Sequence, residues 1–249
     1  MPIYLAFSPE EFGQAAASGH PLACMGYRLA SDAPTLLAPS PLPDCRAMML
    51  LQDDALPAYE AAPSLSQLIA EYAAAYHTGL ICDCDAPENP FWTTLIRQLN
   101  DACAALSLPL WVSEAYADAA PDAWVTIGSD VSTGDFRQRA AQAAARYPGR
   151  CVLELRPLGA QYALPGAPAG KTLTPDALRQ LQADWSAPVF HAPDLLCQYF
   201  SRDGDPLELV LFDTRETLRE KLTAAGDAGF QAAVGLLQEL SVRLPDESK

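Results

Sequence analysis

Positive charge is scarce in this sequence. Its 16 Lys and Arg stand against 31 Asp and Glu, a formal net charge of −15, and no basic stripe offsets the imbalance anywhere. Phosphate backbones are bound by clustered cations, so nucleic acid is excluded as a partner. Long hydrophobic runs are missing as well. None reaches the roughly 18 apolar residues of a membrane span, so no membrane partner is expected. The apolar start Ile3–Phe7 lacks a basic flank and soon meets Glu10 and Glu11, unlike a signal peptide. Only 3 histidines occur, His20, His77 and His191, too scattered for a metal cluster. No apolar run is followed by G-x-G-x-x-G or G-x-x-x-x-G-K-[ST], and no serine sits in a G-x-S-x-G elbow. No cofactor is therefore expected, and serine hydrolase chemistry has no foothold.

Cysteine is present but unpaired by pattern. There are 7, an odd number, and only Cys82 and Cys84 lie close together. Several fall in apolar runs, where a reduced thiol behaves as a small hydrophobe. A cytoplasmic location is expected from this usage. A Cys82-x-Cys84 metal site would need further ligands that the sequence does not supply nearby.

Apolar residues make up 50% of the 249, enough to bury a sizeable core. The length suits one α/β barrel or two small domains. No internal repeat or long linker divides it, so residues 1–249 read as a single domain. Short apolar runs alternate with helical patterns from end to end, as in repeated βα units. The runs are Ile3–Phe7, Leu22–Tyr27, Ala47–Leu51, Gly79–Asp85, Leu110–Ala115, Ala123–Gly128, Cys151–Leu155 and Ala232–Leu237. Helices are expected over Ser64–Tyr76, Phe91–Leu106, Asp135–Tyr147 and from the Thr174 cap to about Trp185, with a last one capped by Asp213. Ser8-Pro9-Glu10-Glu11 reads as a helix start, and Asp32–Asp44 as a Pro-rich surface loop. Leu195–Phe200 and Leu207–Phe212 read as a hairpin about Asp203-Gly204-Asp205. Eight strands with helices between most of them suit a closed (β/α)8 TIM barrel of the α/β class, with that hairpin inserted before the last helix. An open doubly wound sheet would use the same pattern.

The run Thr78-Gly79-Leu80-Ile81-Cys82-Asp83-Cys84-Asp85 carries the chemistry. Side chains alternate along a strand, so Ile81, Asp83 and Asp85 share one face and the cysteines the other. At the C-terminal end of a barrel strand the aspartates would point to the mouth, where barrel enzymes work. Two like charges so close would raise one pKa and keep an acid protonated. The alternative is that both are strand-end caps for the loop at residues 86–89.

The segment resembles the fourth strand of family 18 glycoside hydrolases, the chitinase-like and spore-cortex N-acetylglucosaminidase-like enzymes, whose motif is D-G-x-D-x-D-x-E. Gly79 and Asp83 match; Thr78 and Ile81 replace the first two acidic positions, and Asp85 falls where the catalytic Glu belongs. Asp122–Asp130 is similar to the family's sixth strand, with Asp130 matching and Ser129 in place of its Tyr. Leu207–Asp213, Thr214–Lys221 and Gly229–Leu236 resemble the C-terminal hairpin, the D-x-x-S-φ-x-x-K helix and the G-φ-x-G-φ-x-φ-W strand. There Thr217 replaces Ser, Lys221 matches, and Leu236 stands for the floor Trp. The resemblance covers roughly the last 170 residues in order.

It implies a glycan ligand built from N-acetylamino sugars, with Asp83 orienting the acetamido group and Asp85 as the acid of a substrate-assisted cleavage. Asp85 is one methylene shorter than Glu, setting its carboxyl about 1 Å back, a misplacement that costs on the order of a hundredfold. With Ser129 for Tyr and Leu236 for Trp, hydrolysis is expected to be weak or lost. Glu88 or Glu114 would be the acid of a rebuilt site. Further substrate contacts are expected from Ser129, Asp130, Glu114, Tyr116 and Tyr162, although Glu88 and Glu114 also read as solvated loop residues. The Ser132-Thr133-Gly134 loop could hold an anion, but Asp135 as the next helix cap opposes it. Trp111 and Trp124 open strands and read as packing rather than sugar platforms. The competing reading is a barrel kept as a protein-interaction or structural module, its protein partner unknown.

Overall fold

The structure, a computed structural model, describes residues 1–40, 46–53, 56–84, 89–165 and 170–240. Eight parallel strands form its centre: β1 (Ile3–Phe7), β2 (Leu22–Leu29), β3 (Met48–Gln52), β4 (Leu80–Asp83), β5 (Leu110–Ser113), β6 (Trp124–Gly128), β7 (Cys151–Leu155) and β8 (Ala232–Leu236). Each pairs with its neighbour in sequence, β8 pairs with β1, and β1 pairs with β2, so the sheet closes on itself. Closure is seen in register at both seams: Ala6 lies opposite Leu236 on one side and Ala23 on the other. This is the (β/α)8 TIM barrel, and the open doubly wound alternative is excluded.

Helices α1 (Phe12–Ala17), α2 (Pro63–Tyr76), α3 (Pro90–Ala105), α4 (Phe136–Arg146), α5 (Pro175–Trp185), α6 (Arg215–Ala228) and α7 (Leu237–Leu240) follow the strands. Ser8 and Glu11 do form a reciprocal capping box, but over a short 3-10 turn ahead of α1. Asn89 caps α3 through Phe91 N–H, and Asp135 caps α4 through Gln138 N–H. Two βα units depart from the ideal repeat. Between β2 and β3 runs the short strand Leu36–Leu37, antiparallel to the end of β2; after β5 there is only a 3-10 turn, Glu114–Tyr116.

The expected hairpin is present and belongs to something larger. Cys197–Arg202 and Leu207–Phe212 pair antiparallel, and Gly159–Leu164, Lys171–Thr172 and Phe190–Ala192 complete a five-stranded sheet between β7 and α6. Helix α5 packs on one face of it through Leu178, Leu181 and Trp185 against Phe200 and Phe212.

Strand alternation divides the apolar residues into two shells. Ala6, Ala23, Met48, Leu50, Ile81, Trp111, Val152, Ala232 and Val234 meet inside the barrel, while Leu5, Phe7, Met49, Leu51, Cys82, Val112 and Leu153 face the helices. Trp111 and Trp124 stack inside at 6.0 Å, with Tyr4 edge-on to Trp111 at 4.9 Å. Alanines at 6, 23 and 232 leave the room these rings need, as close packing demands. Gly79 has a similar reason. A Cβ there would come within 2.7 Å of Met48 Cε and 3.0 Å of the Pro109 carbonyl.

Candidate functional site

The inward row of β4 reads Ile81 then Asp83, as alternation requires. Ile81 joins the apolar interior, and Asp83, half-buried, stands one layer above it at the C-terminal end of the strand. Around the same rim the inward positions turn polar. The Ser113 hydroxyl of β5 donates to the Cys84 carbonyl at 2.9 Å, and the Thr126 hydroxyl of β6 donates to the Val112 carbonyl at 3.3 Å. On β7 the inward row is Val152 then Glu154, and Arg156 follows just past the strand. Its Nε donates to Glu154 Oε1 at 2.5 Å.

These residues enclose an open cleft of about 310 Å³ at the C-terminal mouth. Asp83, Thr126, Glu154, Arg156, Leu236 and Glu239 line it, above the apolar floor of Ala6, Leu50, Ile81 and Val234. Cys82 also contributes to the lining, but its thiol is buried, and burial raises its pKa well above the ordinary thiol value. It is no nucleophile. Leu236 is 39% exposed and lies over the cleft.

The end of β7 is held from behind by a buried polar chain. The Ser129 hydroxyl accepts from the Arg156 N–H at 3.0 Å and donates to the Arg156 carbonyl at 3.1 Å. Lys221 of α6 donates to the Ser129 carbonyl at 2.9 Å and to Asp213 Oδ2 at 2.7 Å. The same Asp213 oxygen accepts from the Leu158 N–H at 2.7 Å, and its partner Oδ1 accepts from the Thr217 hydroxyl at 3.0 Å. The backbone is thus clamped at residues 156 and 158. Asp213 does not cap α6 as expected; Thr214 does, accepting from Thr217 N–H, which leaves Asp213 free to turn inward.

The residues proposed from sequence are dispersed. Asp83 is in the cleft. Asp85 and Glu88 lie outside the described residues. Ser129 is fully buried and supports Arg156 instead of facing the mouth. Asp130 is exposed, and its carboxylate lies 2.9 Å from where a Cβ of Gly128 would be, over the inner end of β6. Glu114 pairs with Arg139 at 3.7 Å in a groove shared with Ile127 and Gln142, outside the barrel. Tyr116 is buried in the shell between strands and helices, and burial pushes its phenol up to about 12. Tyr162 sits in the antiparallel sheet with Leu158 and Leu211, its ring against Gly170. Neither tyrosine lines the cleft. Glu154 and Arg156 were missed, although period-2 alternation through Cys151–Leu155 puts Glu154 on the same face as Val152.

The fold and its mouth define a closed (β/α)8 barrel with an open cleft at the C-terminal ends of its strands. No protein-family model matches the sequence, and no curated protein matches it. Solved structures do. The Bacillus megaterium spore cortex-lytic enzyme SleL aligns with a TM-score of 0.65 at 13% identity, over 94% of this chain and 70% of that one. A chitinase from Chromobacterium violaceum aligns with a TM-score of 0.61 at 13% identity, over 94% and 93%. A family 18 chitinase from Cycas revoluta, solved with allosamidin, aligns with a TM-score of 0.61 at 14% identity, over 94% of each. At these identities what is shared is the fold.

Proposed function

We propose that this chain, acting as one domain over residues 1–249, binds N-acetylamino-sugar glycans of the chitin or peptidoglycan kind at its barrel mouth, and hydrolyses them weakly or not at all. The observation that carries the reading is the open cleft at the strand C-termini with Asp83 on its wall, in a fold shared with chitinases and a spore cortex-lytic enzyme. In this reading Asp83 accepts a hydrogen bond from the acetamido N–H and orients the sugar, while Asp85 stands one methylene short for the acid's task. Glu154, already paired with a guanidinium, accepts further hydrogen bonds rather than supplying a proton.

The test couples binding to turnover. Calorimetric titration with an N-acetylglucosamine tetramer should show binding by the wild type, weakened about tenfold in Asp83→Asn, the loss of one charge-assisted hydrogen bond. A chromogenic N-acetylglucosaminide should be cleaved measurably only by Asp85→Glu. Absence of tetramer binding to the wild type sinks the reading. One observation favours a second reading, a non-catalytic barrel serving as a protein-interaction or structural module: among the described residues, no aromatic ring lines the cleft, where a sugar face would stack. Full turnover by both wild type and Asp85→Ala would contradict the second reading and remove Asp85 from the chemistry.

A further inference from the structure

A second cavity lies on the outer wall of the barrel, where the fold departs from its repeat. After β5 the chain makes only the 3-10 turn Glu114–Tyr116 where a barrel helix would lie. Beside that turn α4 faces a groove of about 360 Å³, a size that suits a small ligand. Its floor is apolar, Ile127 of β6 and Ala143 of α4. Its walls are polar, with Glu114 on the turn and Arg139, Gln142 and Arg146 along α4.

The charges of the groove are loosely held. Arg139 meets Glu114 at 3.7 Å and Arg146 meets Asp118 at 3.5 Å, and each of the four side chains is at least 41% exposed. Ion pairs this long and this wet contribute little, so a ligand that makes shorter ones displaces them readily. The two positive and two negative charges cancel, which favours neither a simple anion nor a simple cation. A molecule carrying one charge of each sign can replace both loose pairs with tighter ones.

Beneath the groove, where α4 ends, is a polar group with nothing to bond. Tyr147 is only 4% exposed, and its hydroxyl is buried without a hydrogen-bond partner among the described residues. Buried donors left unmade are costly and rare in native proteins. The Arg146 guanidinium lies 5.1 Å from the centre of the same ring. Burial raises the pKa of the phenol; beyond that Arg146 lowers it, and Glu114 and Asp118 raise it. The hydroxyl and the groove charges therefore share one neighbourhood. Spacing then sets the length of a ligand. Arg139 and Arg146 stand seven residues apart on α4, about 10.5 Å along a helix axis. An extended chain covers that distance in about three residues.

We propose that this groove binds a short peptide of about three residues by its free termini. The carboxylate sits at Arg146 and the Tyr147 hydroxyl, the ammonium at Glu114, and the central amides along Gln142. Arg139, released from Glu114, turns to a peptide carbonyl. The site is separate from the mouth and does not depend on the glycan reading.

Calorimetric titration with trialanine, its N-acetyl form and its C-terminal amide tests this. The wild type should bind the free tripeptide, and blocking either end should weaken binding at least about tenfold, the loss of one charge-assisted contact. Tyr147→Phe should melt as the wild type does, since its hydroxyl has no bond to lose in the free protein. It should nevertheless bind about tenfold more weakly. Arg146→Gln, at an exposed position of α4, should weaken binding equally, and serves alone if Tyr147→Phe does not melt cooperatively. Asp83→Asn, at the mouth, should leave binding unchanged. No heat from trialanine at millimolar concentration overturns the proposal. Equal binding of the blocked forms does so too, because the termini would then not be what is recognised. So does an affinity that the folded groove variants leave intact, or one lost in Asp83→Asn, which would put the peptide at the mouth.

Discussion

His77 ends α2 with its ring turned into the shell between barrel and helices. It lies edge-on to Tyr27 at 5.1 Å. Its Nδ1 lies 3.2 Å from the Ala47 carbonyl, which can only accept, so that nitrogen carries the proton. The other nitrogen is buried and has no hydrogen-bond partner among the described residues. Burial lowers the pKa from 6.5, and the Ala47 contact only partly opposes this. Below pH 6.5 the unfolded chain therefore takes up a proton that the native state refuses. Stability contributed by neutral His77 is complete above that pH and is lost as pH falls through the window beneath it, at no more than about 1.4 kcal/mol per pH unit. Thermal melts from about pH 7.5 down to about 5.5 should show this slope, and His77→Gln should flatten it. An unchanged slope in His77→Gln would assign the effect to other groups. Single residues were unequally legible in the sequence. Asp83 stood out because an acid ends an apolar strand within a motif. Glu154 obeys the same alternation, but inside Cys-Val-Leu-Glu-Leu it passes for one interruption of a buried run. Its meaning comes from sharing a cleft with Asp83, a long-range neighbourhood that no local pattern encodes. Ser129 follows the end of β6, and its role was not legible because its partner Arg156 lies just past the next strand.

Helix α6 shows how one element can hold a site that it does not touch. Its Lys221 is fully buried and joins the end of β6, through the Ser129 carbonyl, to Asp213 at the end of the antiparallel sheet. Burial pushes the Asp213 carboxyl up, and the Lys221 ammonium is the chief force holding it down. Removing the cation leaves an uncompensated charge in the core. Lys221→Met should cost about 3–5 kcal/mol in urea unfolding, and the double variant Lys221→Met/Asp213→Asn should recover part of that loss. A loss below about 1 kcal/mol in the single variant would show that Asp213 finds another way to be satisfied. The motif Thr217–Lys221 was visible in the sequence, yet its purpose was not, since helical spacing says nothing about which strand end receives the amine. The barrel strands were legible for the opposite reason: buried on both faces, they are apolar runs bounded by turn residues. The outer sheet was legible only in its central hairpin. Gly159–Leu164 mixes small and polar residues, and Lys171–Thr172 is two residues long, so neither has a periodicity to read.

The buried thiols report on the molecule as a whole. Cys24, Cys82, Cys84, Cys103, Cys151 and Cys197 are all buried. They are spread over β2, β4 and its end, α3, β7 and the outer sheet. Burial pushes Cys103 up to about 12, and Cys151 and Cys197 up to about 11. Reaction needs the thiolate in contact with reagent, so each thiol responds only when its surroundings open. Cys197 is the informative one, because it belongs to the sheet inserted between β7 and α6. That sheet is tied to the barrel at both ends: Leu158 N–H meets Asp213, and Asp213 meets Lys221. The bonds that order the mouth are thus the bonds that couple the two parts, and the insertion should not open alone. In a Cys45→Ser background, needed because Cys45 lies outside the described residues, a colourimetric thiol reagent at mildly alkaline pH should label none of the six natively and all six in strong guanidinium chloride. Identified by peptide mapping across the transition, Cys197 should become reactive at the same denaturant concentration as Cys82 and Cys151. Earlier labelling of Cys197 alone would mean that the insertion unfolds from an intact barrel, and that the clamp behind Arg156 breaks before the fold does.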